Sequence, residues 1–394
     1  MEALRLVVLG AGFGGLSFLR SLQKDPAEPG LEVTLVDRNA YTTLVPELYA
    51  VAAGTATAES VTVPIALPAR RFRQAAVAGL ALRARQVLLA PAVDEPAGGG
   101  GEAGLVRLPY DFLVVALGSR NQFYGVPGAP EHTVTLRTLQ EALEVRRRLG
   151  KLQEGASVVV VGGGLTGLEV AAEVAGARSD LRLTIIEALP HLANGFPGAH
   201  QAWVRRQLEK QGVQVRLQAQ VQKVEEGRLY LTGGDAVPFD LAIWAAGVSA
   251  PALLRDAGLA VDRQGRALVD DGQRSVTNPR VFVVGDCAAG LAAPSAQLAE
   301  LQGQRAAATL LARVRGEEAP AGSLRLRGTL ASLGPRQGFG TLGPLPLAGE
   351  VPVTGCLPLR LKRLVTARYR EDMRRFLAQP KANTEARRPR HHSA

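Results

Sequence analysis

The chain has 394 residues, room for two or three domains each with its own core, and its hydrophobic fraction of 46% belongs to a globular protein. The net charge is +10, and the two cysteines, Cys287 and Cys356, stand too far apart in sequence for a paired redox or zinc motif, so any redox chemistry must come from a bound cofactor. No run of eighteen apolar residues is present and the apolar start lacks a basic flank, so neither a spanning helix nor a secretory signal is expected and the cytoplasm is the expected location.

The first element is the apolar run Leu6-Val7-Val8-Leu9, which leads into Gly10-Ala11-Gly12-Phe13-Gly14-Gly15. A helical pattern through Leu16, Leu19 and Leu22 follows, then a second apolar run, Val33 to Val36, that ends in Asp37. Strand, glycine turn, helix, strand and acid in this order form a dinucleotide fingerprint. Gly10 permits the turn, Gly12 lets the backbone approach a pyrophosphate, Gly15 lets the helix pack on the strand, and Asp37 takes the ribose hydroxyls.

Residues Tyr41 to Tyr49 are too irregular for a long helix and are expected to cross the top of a sheet. Gln86 to Leu89 reads as a strand, the glycine-rich stretch 96–104 as a flexible hairpin tip, and Leu113 to Leu117 as a buried strand ending at Gly118. Pro127-Gly128-Ala129-Pro130 marks a crossing into a second domain. There the opening pattern returns: Val158 to Val161, then Gly162-Gly163-Gly164-Leu165-Thr166-Gly167, a helix, and Leu183 to Ile186 ending in Glu187. The acids favour a free ribose 2′-hydroxyl, hence NADH over NADPH. Leu241 to Ala246 is another strand, ending at Gly247, and Val281 to Val284 leads through Gly285 to Asp286, a carboxylate at the carboxyl end of a strand that either faces a ligand crevice or caps the next segment.

From Leu357 to the end, eleven Lys or Arg stand against three acids. The apolar positions Leu364, Val365, Tyr369, Met373, Phe376 and Leu377 read as one face of a helix flanked by arginines. Such a helix suits an anionic membrane surface, or an ordinary packed position. The last residues, 381–394, read as a disordered basic tail.

These residues resemble the two-dinucleotide-binding flavoprotein fold, and within it the type II NADH dehydrogenases, which pass electrons from NADH to membrane quinone without pumping protons. The resemblance covers nearly the whole chain through both fingerprints, Ala116-Leu117-Gly118, Trp244-Ala245-Ala246-Gly247, Val284-Gly285-Asp286 and the helix from Ala296 to Leu311. It implies an α/β fold of two Rossmann-like domains with a C-terminal amphipathic membrane-facing region. The expected division is an FAD domain in 1–125 and 251–324, an NADH domain in 126–250, a quinone- and membrane-facing region in 325–380, and the tail.

By the same resemblance FAD is held by Gly10, Gly12, Phe13, Gly14, Gly15, Asp37, Arg38, Pro46, Val77, Ala116, Gly118, Asp286, Ala296 and Gln297, and NADH by Gly162, Gly164, Leu165, Gly167, Glu187 and Gly247. Glu169 faces both cofactors and positions the hydride donor or carries a proton, with its pKa raised. Its bland alternative is a first-turn acid complementing the helix dipole. Quinone is expected against Gln297, Leu301 and Lys362. Leu301 stands where the family carries a second glutamine, and Gln302 does not replace it, because one residue turns a helical side chain by about 100°. Neither a metal nor nucleic acid is expected as a ligand, and a homodimer is compatible with the family. Two other readings stay open: a reductase for a soluble protein acceptor, and a nucleotide-sensing flavoprotein whose basic tail binds nucleic acid or protein.

Overall fold

The computed structural model describes residues 3–23, 30–67, 71–91, 104–290, 293–345 and 349–378. The glycine-rich tip and the basic tail anticipated above fall mostly or wholly outside them.

The chain opens with β1 (Leu4–Leu9), α1 (Phe13–Gln23) and β2 (Leu31–Asp37), then crosses through a 3-10 turn (Val45–Glu47) into α2 (Leu48–Ala53). β3 (Phe72–Ala81), β4 (Gln86–Pro91), β5 (Val106–Pro109) and β6 (Phe112–Val115) follow. The second unit contains β7 (Val134–Thr135), α3 (Leu139–Leu149), β8 (Ser157–Val161), α4 (Leu165–Ala177), β9 (Arg182–Ile186), β10 (Gln214–Arg216) and β11 (Leu241–Trp244). The chain then returns with β12 (Val281–Val283) and α5 (Ala296–Arg315), and closes with β13 (Gly328–Ser332), β14 (Gly338–Leu345), β15 (Gly349–Gly355) and α6 (Cys356–Leu377).

A seven-stranded sheet has the order β12-β6-β1-β2-β3-β4-β5. It is parallel from β12 to β3, and the hairpins β3–β4 and β4–β5 are antiparallel. A five-stranded parallel sheet runs β7-β11-β8-β9-β10. In both, the fingerprint strand lies between neighbours on its two sides, so the chain reverses its winding there and a crevice opens at the carboxyl ends. A third, antiparallel sheet, β13-β14-β15, carries α6.

The apolar runs are nearly continuous because both sheet faces are covered. Along β1, Leu6 and Val8 enter one core cluster while Val7 and Leu9 enter another on the opposite face. The first cluster also contains Val160 of β8, Phe339 of β14 and Met373 and Leu377 of α6, so one core joins all three sheets. The other face of the second sheet holds Val159, Val161 and Trp244.

α5 extends four residues beyond its expected end at Leu311, to a left-handed Gly316 at φ 74°. Its small residues let it approach α1 closely: a Cβ on Gly303 would collide with the Gly14 carbonyl oxygen. The reading of α6 as one apolar face needs correction. Met373, Phe376 and Leu377 are buried, but Leu364 and Val365 are 65% and 62% exposed, together with Leu357 at 54%. Two apolar stripes lie on different sides of one helix; periodicity marked apolar positions without telling which of them had a partner. No helix among the described residues is long and apolar enough to cross a membrane.

Candidate active site

Each fingerprint forms a cradle at the end of its strand. A Cβ on Gly10 would strike the Ala116 carbonyl oxygen, and one on Gly15 the Gly10 carbonyl oxygen, so both positions require glycine for close packing. At Gly12 a side chain would instead enter open space, the room a pyrophosphate needs above the helix N-terminus. Asp37 closes the cradle, accepting the Ala11 N–H (2.7 Å) and the Asn39 N–H (2.8 Å). Burial pushes its carboxyl above the ordinary value, against the pull of these two bonds.

The second cradle repeats this arrangement. Gly162 packs against Ala245, Gly167 against Gly162, and Gly164 faces open space. Glu187 accepts the Gly163 N–H (2.6 Å) and the Leu189 N–H (2.8 Å). Leu165 opens α4. At Gly247 a Cβ would collide with the Tyr124 hydroxyl, which donates to the Ala246 carbonyl (3.2 Å). Tyr124 therefore borders this cradle, although nothing in its local sequence pattern singled it out.

Around the first cradle, the ring of Phe13 stacks on Tyr369 of α6 with centroids 4.5 Å apart. Asp286 accepts from the Ser119 hydroxyl (2.7 Å) and from Arg137 Nη2 (3.3 Å), and Arg137 also bonds Ser119. Arg137 and Ser119 escaped the sequence reading because the arginine is 149 residues from its acid and belongs to the segment that begins the second sheet. The Cys287 thiol donates to the Gly118 carbonyl (3.0 Å), and burial pushes it up to about 12. Val77 pairs with Leu89 in the β3–β4 hairpin, and Arg38 is exposed beyond β2. Ala296 begins α5, capped by the Ser295 hydroxyl, which accepts the Leu298 N–H. Gln297 accepts the Arg327 N–H (2.8 Å), and Leu301 is half-buried. Gln302 turns away, buried, to accept the Gly285 N–H (2.7 Å).

Three of the candidate residues come from distant parts of the chain to one point. Glu169, early in α4, is buried, and its Oε1 accepts from Lys362 Nζ (2.6 Å) and from the Ser332 N–H (3.0 Å). Lys362 of α6, also buried, donates further to the Pro46 carbonyl (3.1 Å) and the Tyr49 hydroxyl (3.3 Å). Its ammonium lies 4.3 Å from the Tyr49 ring centroid. Glu47 approaches the same ammonium at 3.4 Å. Burial raises the Glu169 carboxyl, outweighing the attraction of Lys362. For Lys362 burial works downward, yet the charges of Glu169, Tyr49 and Glu47 overrule it and hold the ammonium above the ordinary lysine value. The charge of Glu47 adds to this, raising the proton affinity of both Glu169 and Lys362. Burial also pushes the Tyr49 phenol up to about 12.

Two doubly wound sheets, each ending in an open glycine cradle with its own acid, define the class of oxidoreductases with two dinucleotide sites. The chain belongs to the pyridine nucleotide-disulphide oxidoreductase family, which matches residues 4–306, and its cofactor is FAD. It is 32% identical over 351 residues to the NADH dehydrogenase-like protein YutJ of Bacillus subtilis (strain 168), covering 88% of this chain and 95% of that one. It is 26% identical over 401 residues to a type II NADH:quinone oxidoreductase of Haemophilus influenzae, covering 89% of each. Among solved structures, NDH2 from Plasmodium falciparum in complex with NADH shares the fold with a TM-score of 0.79 at 16% identity, over 95% of this chain and 97% of that one.

Proposed function

We propose that the chain is an NADH:quinone oxidoreductase that works at the cytoplasmic face of a membrane without pumping protons. FAD occupies the first cradle, within 1–125 and 251–324, and NADH the second, within 126–250. Bound FAD supplies hydride acceptance from NADH and two-electron return to the acceptor. The chain's own residues orient and protonate. Gly10 to Gly15, Asp37 and Asp286 hold the first nucleotide, and Gly162 to Gly167, Glu187 and Gly247 hold the second. Glu187 suits a free ribose 2′-hydroxyl and repels a 2′-phosphate.

The observation that carries this reading is the buried Glu169–Lys362 pair, which ties the helix of the second cradle to α6 and to the segment Pro46–Tyr49 from the first unit. A carboxyl with a raised pKa at such a junction is suited to protonating a reduced acceptor. Gln297, Leu301 and Lys362 form the acceptor side, where Leu301 supplies apolar surface in place of an amide. The exposed stripe Leu357, Leu364 and Val365, flanked by exposed Arg360, Arg363 and Arg368, supports a lipid-soluble acceptor.

The test is stopped-flow absorbance of the flavin. NADH should bleach it rapidly, and a short-chain quinone should restore the oxidised spectrum rapidly in a second mixing. Rapid bleaching with a sluggish return would replace quinone by a protein acceptor.

A further inference from the structure

Glu47, next to Pro46, is not among the residues expected to hold either nucleotide, yet it completes the buried cluster. Its Oε1 is 3.4 Å from Lys362 Nζ and accepts from the Thr366 hydroxyl (3.1 Å). The Tyr49 hydroxyl lies 3.4 Å from its Oε2. The Glu47 side chain is 17% exposed, against 8% for Lys362 and 10% for Glu169, so it is the member that solvent reaches most readily.

We propose that Glu47 and Glu169 share one exchangeable proton across the Lys362 ammonium, taken up from solvent at Glu47 and delivered from Glu169 to a quinone oxygen. This rests on the quinone reading above. NADH brings a hydride, which carries two electrons and one proton. A quinol gains two electrons and two protons, so one proton per turnover enters from solvent. Glu47 takes it up; Lys362 passes one N–H proton to Glu169 as it receives one from Glu47, and remains an ammonium. Glu169 then releases its proton to the quinone oxygen and returns to the carboxylate. No bond between heavy atoms changes along the path.

The surrounding groups leave this role to Glu47. From α2, Tyr49 keeps its proton, its phenol being pushed up to about 12 by burial. From β13, Ser332 supplies an N–H and a hydroxyl towards Glu169. On α4, Glu173 is engaged one turn further on by the Thr55 hydroxyl (2.6 Å). On α6, Arg363 donates to the Pro335 carbonyl and Arg370 to the Ser60 carbonyl. Glu47 acts through Lys362 and not on the acceptor itself. Its negative charge raises the proton affinity of both Lys362 and Glu169.

The experiment uses the FAD-loaded enzyme and compares wild type with Glu47→Gln and Glu47→Asp. Flavin bleaching by NADH and re-oxidation by a short-chain quinone are measured separately from neutral to alkaline pH. Glu47→Gln is expected to slow re-oxidation about tenfold on the alkaline side. Without the second carboxylate Glu169 loses its proton sooner, so the alkaline limb moves about one pH unit lower. Glu47→Asp keeps the charge and should hold the limb near its wild-type position, with bleaching affected far less than re-oxidation in both variants. An unshifted limb in Glu47→Gln, or equal slowing of both half-reactions, overturns the proposal. Wild-type enzyme that NADH bleaches but quinone fails to re-oxidise overturns the quinone reading itself, before the variants are compared.

Discussion

A lysine ammonium buried beside a carboxylate stabilises a fold only while both partners remain. Lys362→Met removes the charge that compensates Glu169 but leaves the acid buried, a loss of about 3–5 kcal/mol. Glu169→Gln in the same chain removes the uncompensated charge, so the double variant should unfold at a higher temperature than Lys362→Met alone. The pH dependence has a definite sign. Because Lys362 binds its proton more tightly in the folded state, its contribution is fully present below the ordinary lysine value of 10.5 and disappears as pH rises through the higher folded value. On the alkaline side, the difference in stability between wild type and Lys362→Met should therefore hold up to about 10.5 and shrink above it. Cysteine reactivity gives a second test. Cys287 is buried, with its thiol pushed up to about 12, whereas Cys356 is exposed. A thiol reagent should count one cysteine in the native protein and two after denaturation, and two reactive native thiols would contradict the packing at Gly118. The Lys362–Glu169 contact spans 193 positions, so local sequence spacing contained no trace of it.

The elements differ in how much of themselves they display in sequence. Strand, glycine turn, helix, strand and acid are contiguous, and each fingerprint was readable because its spacing is set by local geometry. The helix α6 was readable as a helix but not as a two-sided one, since its inner stripe depends on β13, β14 and the strand Thr62–Pro64, which its own periodicity does not describe. Its two sides should separate by mutation. Met373→Ala empties a fully buried position and should cost about 2–5 kcal/mol, lowering the melting temperature without weakening vesicle binding. Leu364→Glu with Val365→Glu changes exposed positions and should leave the melting temperature near wild type while abolishing co-sedimentation with anionic vesicles. Unaltered sedimentation would remove α6 as the lipid-facing element. On an anionic surface the nearby Arg360, Arg363 and Arg368 would each add about 1 kcal/mol of attraction, and vesicle binding that depends on them should weaken steeply with added salt.

At the scale of the molecule, two units share one design, and the cradles alone do not state which nucleotide each would hold. Asp37 and Glu187 hold their glycine loops through equivalent backbone bonds, at 2.7 Å and 2.6 Å. What distinguishes the units lies around the cradles: Phe13 stacks on Tyr369 of α6 and Asp286 is fixed by Arg137 and Ser119 beside the first cradle, while Tyr124 at the rim of the second is 64% exposed. Side chains already fixed beside a cradle suit a resident cofactor, and fewer of them suit a co-substrate that must leave after every turnover. Amide variants test this assignment while keeping an acceptor for the loop N–H. Asp37→Asn should lower the flavin retained through gel filtration. Glu187→Gln should leave flavin content at the wild-type level and raise the KM for NADH about tenfold, the loss of one charge-assisted hydrogen bond. It should also narrow the preference for NADH over NADPH, because the repulsion of a 2′-phosphate falls with the charge. The opposite pattern, flavin lost from Glu187→Gln and a raised KM in Asp37→Asn, would exchange the two nucleotides between the units.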